Sequence, residues 1–315
     1  MTSLMSPARA NTGRATAAHA ADPGPNTGPN TGPNTGPSTG PSTATGAVAR
    51  RVAGADAEAV AVADAERAIA AMPAIHLGDL QERAGLLTRV DRKYVVPVDR
   101  LRDLVAGMEP GAQVLEIDGR RGFGYRSVYF DTGELASYHG AARRRRRRFK
   151  VRTRTYTDSA TCWLEVKTRG PRGATVKNRM EYFSEYEGSI GPARWFVDRV
   201  LEAAGIGRVE HLVFDVVLAS HYRRTTFLLP ASGSRVTVDT RLQWVDDVGR
   251  QLRMPGLAIV ETKTGSTPSS IDRLLWRHGH RPTRISKYAT ALAVLNPDLP
   301  ATPWRRTIDR CFSSA

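Results

Sequence analysis

Arg143-Arg144-Arg145-Arg146-Arg147-Arg148-Phe149-Lys150-Val151-Arg152-Thr153-Arg154-Thr155-Tyr156 is the stretch on which the reading of this chain turns. From residue 144 every even position carries a cation: Arg144, Arg146, Arg148, Lys150, Arg152 and Arg154. From Phe149 onward the odd positions are Phe149, Val151, Thr153 and Thr155, which can pack. Successive side chains of a strand point to opposite faces, so this alternation predicts a β-strand over 145–156 with one wholly cationic face.

The same two-residue habit recurs at Glu165/Lys167, Tyr222/Arg224, Arg235/Thr237/Asp239 and Glu261/Lys263. One amphipathic strand with solvated charges would be ordinary. Several of them predict charged faces that converge. Lysine usage points the same way. The chain has 46 basic residues, of which only six are lysines, and all six (Lys93, Lys150, Lys167, Lys177, Lys263 and Lys287) sit in alternating or charged motifs. Arginine is the default cation here, so lysine marks places that call for a compact, flexible ammonium.

The 315 residues carry a formal charge of +15. Residues 1–70 hold five basic and five acidic side chains, so the whole excess belongs to the remainder. Such an excess predicts an anionic partner: phosphate chains, nucleotides, nucleic acid or an anionic membrane surface. Cys162 and Cys311 give neither a disulfide framework nor metal-ligand spacing, which fits a reducing compartment. No apolar stretch approaches a membrane span and no secretory signal core is present, so a cytoplasmic protein is expected. The tandem Gly-Pro-Asn-Thr and Gly-Pro-Ser-Thr units of 23–43 have nothing to bury and predict disorder. Residues 55–71 allow a loose helix with no apolar stripe compelling it to dock. The expected organisation is a disordered tail over 1–70, a folded domain over 75–298 and a C-terminal tail over 299–315.

Within the folded part, strands are predicted near 86–96, 113–118, 123–131, 145–156, 162–168, 174–183, 211–218, 220–229, 234–239 and 257–263. Helices are predicted at 99–107, 192–204, 270–278 and 287–295. This is an α+β pattern of many antiparallel strands with peripheral helices, built on a barrel or a strongly curved sheet. Rows of Arg and Lys facing a barrel interior are very unfavourable unless hydrated or neutralised, and a linear phosphate chain can neutralise them. Asp91, Glu165, Asp239 and Glu261 are then either ligands for a hard divalent cation or partners that orient the lysines.

The ordered set Arg89-x-Asp91-x-Lys93-Tyr94, Tyr125-Arg126-Ser127-x-Tyr129-Phe130-Asp131-Thr132, Arg152-x-Arg154-x-Tyr156, Glu165-x-Lys167, Tyr222-x-Arg224-x-x-Phe227, Arg235-x-Thr237-x-Asp239, Glu261-x-Lys263 and Ser286-Lys287-Tyr288 resembles the vacuolar transporter chaperone domain. That domain is the polyphosphate polymerase branch of the triphosphate tunnel metalloenzymes, and the resemblance spans 78–296. It implies an eight-stranded antiparallel tunnel, a Mn²⁺ or Mg²⁺ requirement, and transfer of the ATP γ-phosphate onto inorganic polyphosphate with release of ADP. Lys93, Arg152, Arg154, Lys167, Arg224, Arg235, Lys263 and Lys287 match tunnel cations, and Glu261 matches the metal-binding glutamate. Tyr222 and Ser286 match polar lining groups, Lys177 a further cation, and Arg284 stands where the family often has lysine. Arg89, Arg126, Lys150 and Arg179 are expected to bind substrate, and Glu165 and Asp239 to join Glu261 at the metal.

Two other readings remain at this point. Tunnel relatives hydrolyse triphosphates, but with a Glu-x-Glu-x-Lys opening strand where this chain has the more cationic Arg89-Val-Asp91-Arg-Lys93. Alternatively, the run Arg143–Arg148 suits a non-catalytic, sequence-independent binder of polyphosphate or nucleic acid. An arginine cluster alone, however, would not require carboxylates on the same strand faces.

Overall fold

The computed structural model describes residues 43–84, 90–170 and 173–312. Chain order is α1 (Thr43–Ala70), β1 (Ala74–Ile75), α2 (Leu77–Arg83), β2 (Val90–Pro97), α3 (Leu101–Ala106), β3 (Gln113–Leu115), β4 (Phe123–Asp131) and α4 (Ala136–Ala142). There follow β5 (Phe149–Tyr156), β6 (Thr161–Arg169), β7 (Thr175–Tyr182), α5 (Arg194–Ala203), β8 (Asp215–Leu229) and β9 (Ser234–Asp246). The chain continues through β10 (Gln251–Arg253), β11 (Leu257–Thr264), α6 (Ser270–Arg277), α7 (Ala289–Leu295) and α8 (Arg305–Phe312). Among the described residues no helix is long and apolar enough to cross a membrane.

Eight long strands form an antiparallel path in the order β2-β11-β9-β8-β4-β5-β6-β7. Among the described residues β2 and β7 do not pair, so the expected closed barrel is an α+β fold around a sheet with an open seam. The sheet nevertheless curls on itself: Lys150 of β5 feels the charge of Lys93 on β2, at the far end of the strand order.

Outward-facing residues make two apolar clusters. Val128, Phe130, Val151, Leu164 and Val166 pack under Val197 and Leu201 of α5. Tyr94, Val96, Val236, Val238, Ala258 and Val260 pack under α3 and α6. A third cluster joins inner-face residues Val95, Tyr129, Tyr222 and Ile259 to α7 and α8, plugging part of the interior.

Several expectations change. The strand predicted over 145–156 begins only at Phe149, because residues 143–145 close helix α4. Arg145 N donates to Gly140 O (2.8 Å) and Arg144 N to Ala141 O (3.2 Å), with Arg144 left-handed at φ 52°. That pair of bonds is a Schellman cap, with arginine where glycine usually sits. The segments 211–218 and 220–229 are one strand, β8, whose pairing with β9 shifts between His221 and Arg223. Neither terminal tail ends where expected. Trp304 and Phe312 of the expected C-terminal tail are buried in the core. Residues 1–42 of the expected N-terminal tail lie outside the described residues, and its remainder belongs to helix α1. That helix docks through Val62, Ala65 and Ile69, all at most 9% exposed. This stripe is only three residues long, one of them alanine, so the periodicity does not reveal it. Two polar clamps reinforce it: Glu58 Oε2 accepts from Gly256 N (2.8 Å), and Arg121 donates to the carbonyls of Ile69, Ala70 and Met72.

A chain beginning at residue 71 should therefore melt well below the full-length protein. Ile69→Ala alone should cost about 2–4 kcal/mol, by the usual penalty for emptying a core position. Differential scanning calorimetry of the three proteins checks this; equal melting temperatures would mean α1 is dispensable.

Candidate functional site

Strand parity builds the site. On β5 the residues alternating with the packed Val151 are Lys150, Arg152 and Arg154, so these face inward. Cross-strand register extends each position into a row. Lys150, Lys167 and Lys177 lie abreast on β5, β6 and β7, and Arg152, Glu165 and Arg179 form the next row. On the other wall Lys93 stands opposite Glu261, Lys263 lies between Asp91 and Arg235, and Arg224 faces Asp239. The segment before α7 ties the walls together. Lys150 Nζ donates to Ser286 Oγ at 3.0 Å, while Lys287 donates to Asp239 Oδ2.

Every carboxylate of the central bore is shared by two cations. Glu165 Oε2 accepts from Arg152 Nε (2.8 Å) and Nη2 (2.6 Å), and its Oε1 pairs with Lys177 Nζ at 2.6 Å. Asp239 takes a bidentate fork from Arg224, Nε to Oδ1 at 2.6 Å and Nη2 to Oδ2 at 2.8 Å, and also binds Lys287. Glu261 Oε1 receives both Lys93 Nζ (2.8 Å) and Lys263 Nζ (2.7 Å). Burial works to raise all three carboxyls, but their cations win. Lys263, Lys93 and Arg224 hold Glu261 well below the usual range, Arg152, Arg154 and Lys177 do the same for Glu165, and Asp239 falls to about 2.

The lysines pay in the opposite direction. Burial, then Arg152, Lys93 and Arg154, pushes Lys150 down to about 7. Burial lowers Lys263 to about 8 against the pull of Glu261. Lys167 is driven well below its ordinary value by Arg152 and by burial.

Aromatic rings floor the bore. Tyr125 stacks on Tyr222 with centroids 5.2 Å apart, and Arg224 lies 5.1 Å from the Tyr125 ring. Lys287 sits 4.5 Å above Tyr222, and Lys150 sits 5.7 Å from Tyr129 and 5.4 Å from Tyr288. Among the described residues the buried hydroxyls of Tyr129, Tyr222 and Thr237 find no hydrogen-bond partner. Buried polar groups are normally satisfied, so three orphans beside a cation array leave acceptor and donor capacity for a ligand. Tyr125, Tyr129 and Tyr288 had no assigned role from sequence, although Tyr125, Ser127 and Tyr129 share one face by period-two spacing.

The predicted residues sort as follows. Arg126 is on the wrong face: it alternates with inward Tyr125 and Ser127, and pairs with Glu187 outside the bore. Reading the motif as one block missed that neighbours in a strand diverge. Arg223 donates to Gly122 O (3.0 Å), so Arg224 is the inward cation of that pair. Arg179 is exposed and stacks 4.4 Å over Trp163 at the β7 edge. Arg284 lies with Asp91 and Lys93 at one mouth of the bore. Arg89 lies outside the described residues. Glu165 and Asp239, expected at a metal, instead have both carboxylate oxygens engaged by cations. Among the described residues no three His, Cys, Asp or Glu side chains gather as a cation cage.

The VTC domain family matches residues 88–200 and 208–296, well over half of the chain. This protein belongs to the VTC domain family. Comparison with curated protein sequences gives no match. Among solved structures, it is similar to an adenylate cyclase candidate from Vibrio parahaemolyticus at 14% identity, covering 65% of this chain and 98% of that one, with a TM-score of 0.37. A second adenylate cyclase candidate, from Bacillus halodurans, gives 12% identity, 63% and 94% coverage and a TM-score of 0.41. An adenylyl cyclase candidate from Hippeastrum, described as having a dominant triphosphatase activity, gives 15% identity, 64% and 94% coverage and a TM-score of 0.37.

The depressed lysines carry a pH prediction. A polyanion favours the charged ammonium, so binding should take up protons once the pH exceeds about 7, the value of Lys150. Tripolyphosphate affinity should fall as the pH rises through about 7 to 8, the values of Lys150 and Lys263. Without ligand the sign reverses. The unfolded chain keeps these protons up to the ordinary lysine range, so folding stability rises with pH above about 7. Calorimetric titration in buffers of different ionisation enthalpy measures the uptake; none at all would contradict the assignment.

Proposed function

We propose that this VTC domain is a metal-dependent ATP:polyphosphate phosphotransferase that extends a polyphosphate chain inside its bore. The observation that carries the proposal is the charge pattern. Lys93, Lys150, Arg152, Arg154, Lys167, Arg224, Lys263 and Lys287 converge from both walls, while Glu165, Asp239 and Glu261 neutralise only part of that charge. Such an array suits repeating phosphate oxyanions.

Phosphoryl transfer asks little covalent help of a protein; it needs donor and acceptor held in line and developing charge absorbed. A terminal polyphosphate oxygen attacks the γ-phosphorus of ATP, the bond from γ-phosphorus to the β,γ-bridging oxygen breaks, and ADP leaves with that electron pair. The nucleophile is already ionised, so no general base is required. Lys150, Lys167 and Arg152 are placed to hold phosphates along one wall, and Lys93, Lys263 and Arg224 along the other. Of the carboxylates, Glu261 fits a hard divalent ion best, because both its lysines take Oε1. Mg²⁺ or Mn²⁺ would take one or two carboxylates and complete its shell from phosphate and water, and when bound would offset charge on the transferring group.

Hydrolysis is the rival. A hydrolase needs a group to orient or deprotonate water, and Glu165 and Asp239 have both carboxylate oxygens engaged by cations, which favours a phosphate acceptor.

Purified protein incubated with ATP and Mn²⁺ or Mg²⁺ should yield ADP and acid-labile long-chain polyphosphate, resolved by gel electrophoresis. Orthophosphate as the only phosphate product would establish hydrolysis instead. Glu261→Gln should abolish turnover while tripolyphosphate binding persists or tightens, since a negative charge leaves the bore. Thr262 points the other way, donating to Asp272 Oδ1 at 2.7 Å. Thr262→Val should therefore keep most activity and lose about 1–3 kcal/mol of stability by stripping a buried hydrogen bond. Equal activity losses in the two variants would refute the inward and outward assignments.

A further inference from the structure

The arginine run borders a second space. A cavity of about 820 Å³ is lined by Arg144 in the α4 cap, Arg146 and Arg148 beyond it, Arg169 at the end of β6, and Arg284, together with Asp91 and Lys93. Lys93 also pairs with Glu261, so the cavity opens onto the bore. Its charges differ in kind from those of the bore. Among the described residues none of these five arginines pairs with a carboxylate, and Arg148 donates only to the carbonyl of Arg145 (2.8 Å). Partial burial and then the nearby charge of Arg169 push Arg148 down from its ordinary value, the sign of like charges held close together. Arginine is weakly hydrated and forks onto phosphate bidentately, so five unpaired guanidinium groups around one space form a phosphate cradle.

We propose that this vestibule is a second polyanion site, holding the part of a polyphosphate chain that lies outside the bore. Affinity then grows with chain length, and a growing product stays bound between additions. The inference rests on the functional reading above, because one continuous chain occupies both spaces. Single-stranded nucleic acid fits less well. It binds through stacking platforms as well as cations, and the one aromatic ring of the lining, Trp304, is only 6% exposed.

The test uses full-length protein without ATP. Binding of tripolyphosphate and of long-chain polyphosphate is measured over a range of salt. The triple variant Arg144→Gln, Arg146→Gln, Arg148→Gln is compared with Arg143→Gln, Arg145→Gln, Arg147→Gln, which removes equal charge from residues outside the cavity lining. The first triple should keep tripolyphosphate affinity and lose about tenfold or more for the long chain. Its logarithmic salt dependence for the long chain should become shallower by about 2, as for three lost contacts to a flexible polyanion. Arg169→Gln with Arg284→Gln, on other elements, should reproduce the loss, which guards against misfolding around the α4 cap. Equal effects of the two triples would show diffuse charge rather than a site. Equal losses for short and long ligands would place these arginines in the bore function and overturn the vestibule. Single-stranded RNA competing as well as polyphosphate, and losing equally in the variant, would make this a nucleic-acid surface instead. If wild-type protein bound neither phosphate ligand, the functional reading itself would fall.

Discussion

A buried carboxylate held between two cations is the interaction on which the site depends. An isolated ion in a protein interior costs several kcal/mol, and a row of unpaired cations would oppose folding. Glu165, Asp239 and Glu261 solve this locally, each placed by register directly across from one of its cations: Arg152, Arg224 and Lys93. A one-residue slip in any of these pairings would turn the partner to the outer face. The same pairing sets how much charge survives. Each carboxylate cancels one of its two cations, so the bore folds without a ligand and still carries an excess for an anion.

Outward bonds aim the inward groups. Tyr94 Oη and Thr262 Oγ1 each donate to Asp272 Oδ1 at 2.7 Å, and Ser269 caps the same side chain at the start of α6. Tyr94 adjoins Lys93, and Thr262 lies between Glu261 and Lys263, so a network on the outer face fixes three side chains on the inner one. Asp131 plays the matching part opposite. It accepts from the backbone of Thr132, Ser137 and Tyr138 at 2.8 Å each, and from Tyr288, the neighbour of Lys287. Burial raises its carboxyl above the ordinary value even though those four donors pull the other way. Asp131, which had no role of its own in the sequence reading, is therefore a brace for the segment bridging the two walls.

Much of this was legible because period two is a strong signal when charges alternate with packing residues. Lys150, Arg152 and Arg154 on β5, Glu165 and Lys167 on β6, and Glu261 and Lys263 on β11 all fell on the inward face for that reason. The signal failed where another constraint intervened. Arg144 and Arg146 keep the alternation in sequence, but the end of α4 claims the backbone of Arg144 and Arg145 for a cap, and the strand begins only at Phe149. Arg126 failed because a motif read as a unit hides the alternation inside it. A loose helix was legible over 55–71, but its docking was not, because the contact stripe is only Val62, Ala65 and Ile69 in an alanine-rich segment. Ion pairing was the least legible feature. The acidic residues were open to either metal binding or lysine orientation, and only cross-strand register shows which oxygen meets which cation.

That register also explains the scarcity of lysine. Arg152 and Arg224 grip Glu165 and Asp239 with two nitrogens each, a rigid fork that lysine cannot form. The six lysines all fall at or beside the bore, where they share carboxylates, bond Ser286 or stand in the Lys150, Lys167 and Lys177 row. Arginine cannot deprotonate in a protein, so an all-arginine bore would carry its full charge whether filled or empty. Lysine can shed it. With Lys150 at about 7 and Lys263 at about 8, the empty bore lowers its own repulsion near neutral pH, and an arriving polyanion restores the protons. Arginine thus supplies fixed geometry, and lysine supplies charge that appears when a ligand needs it.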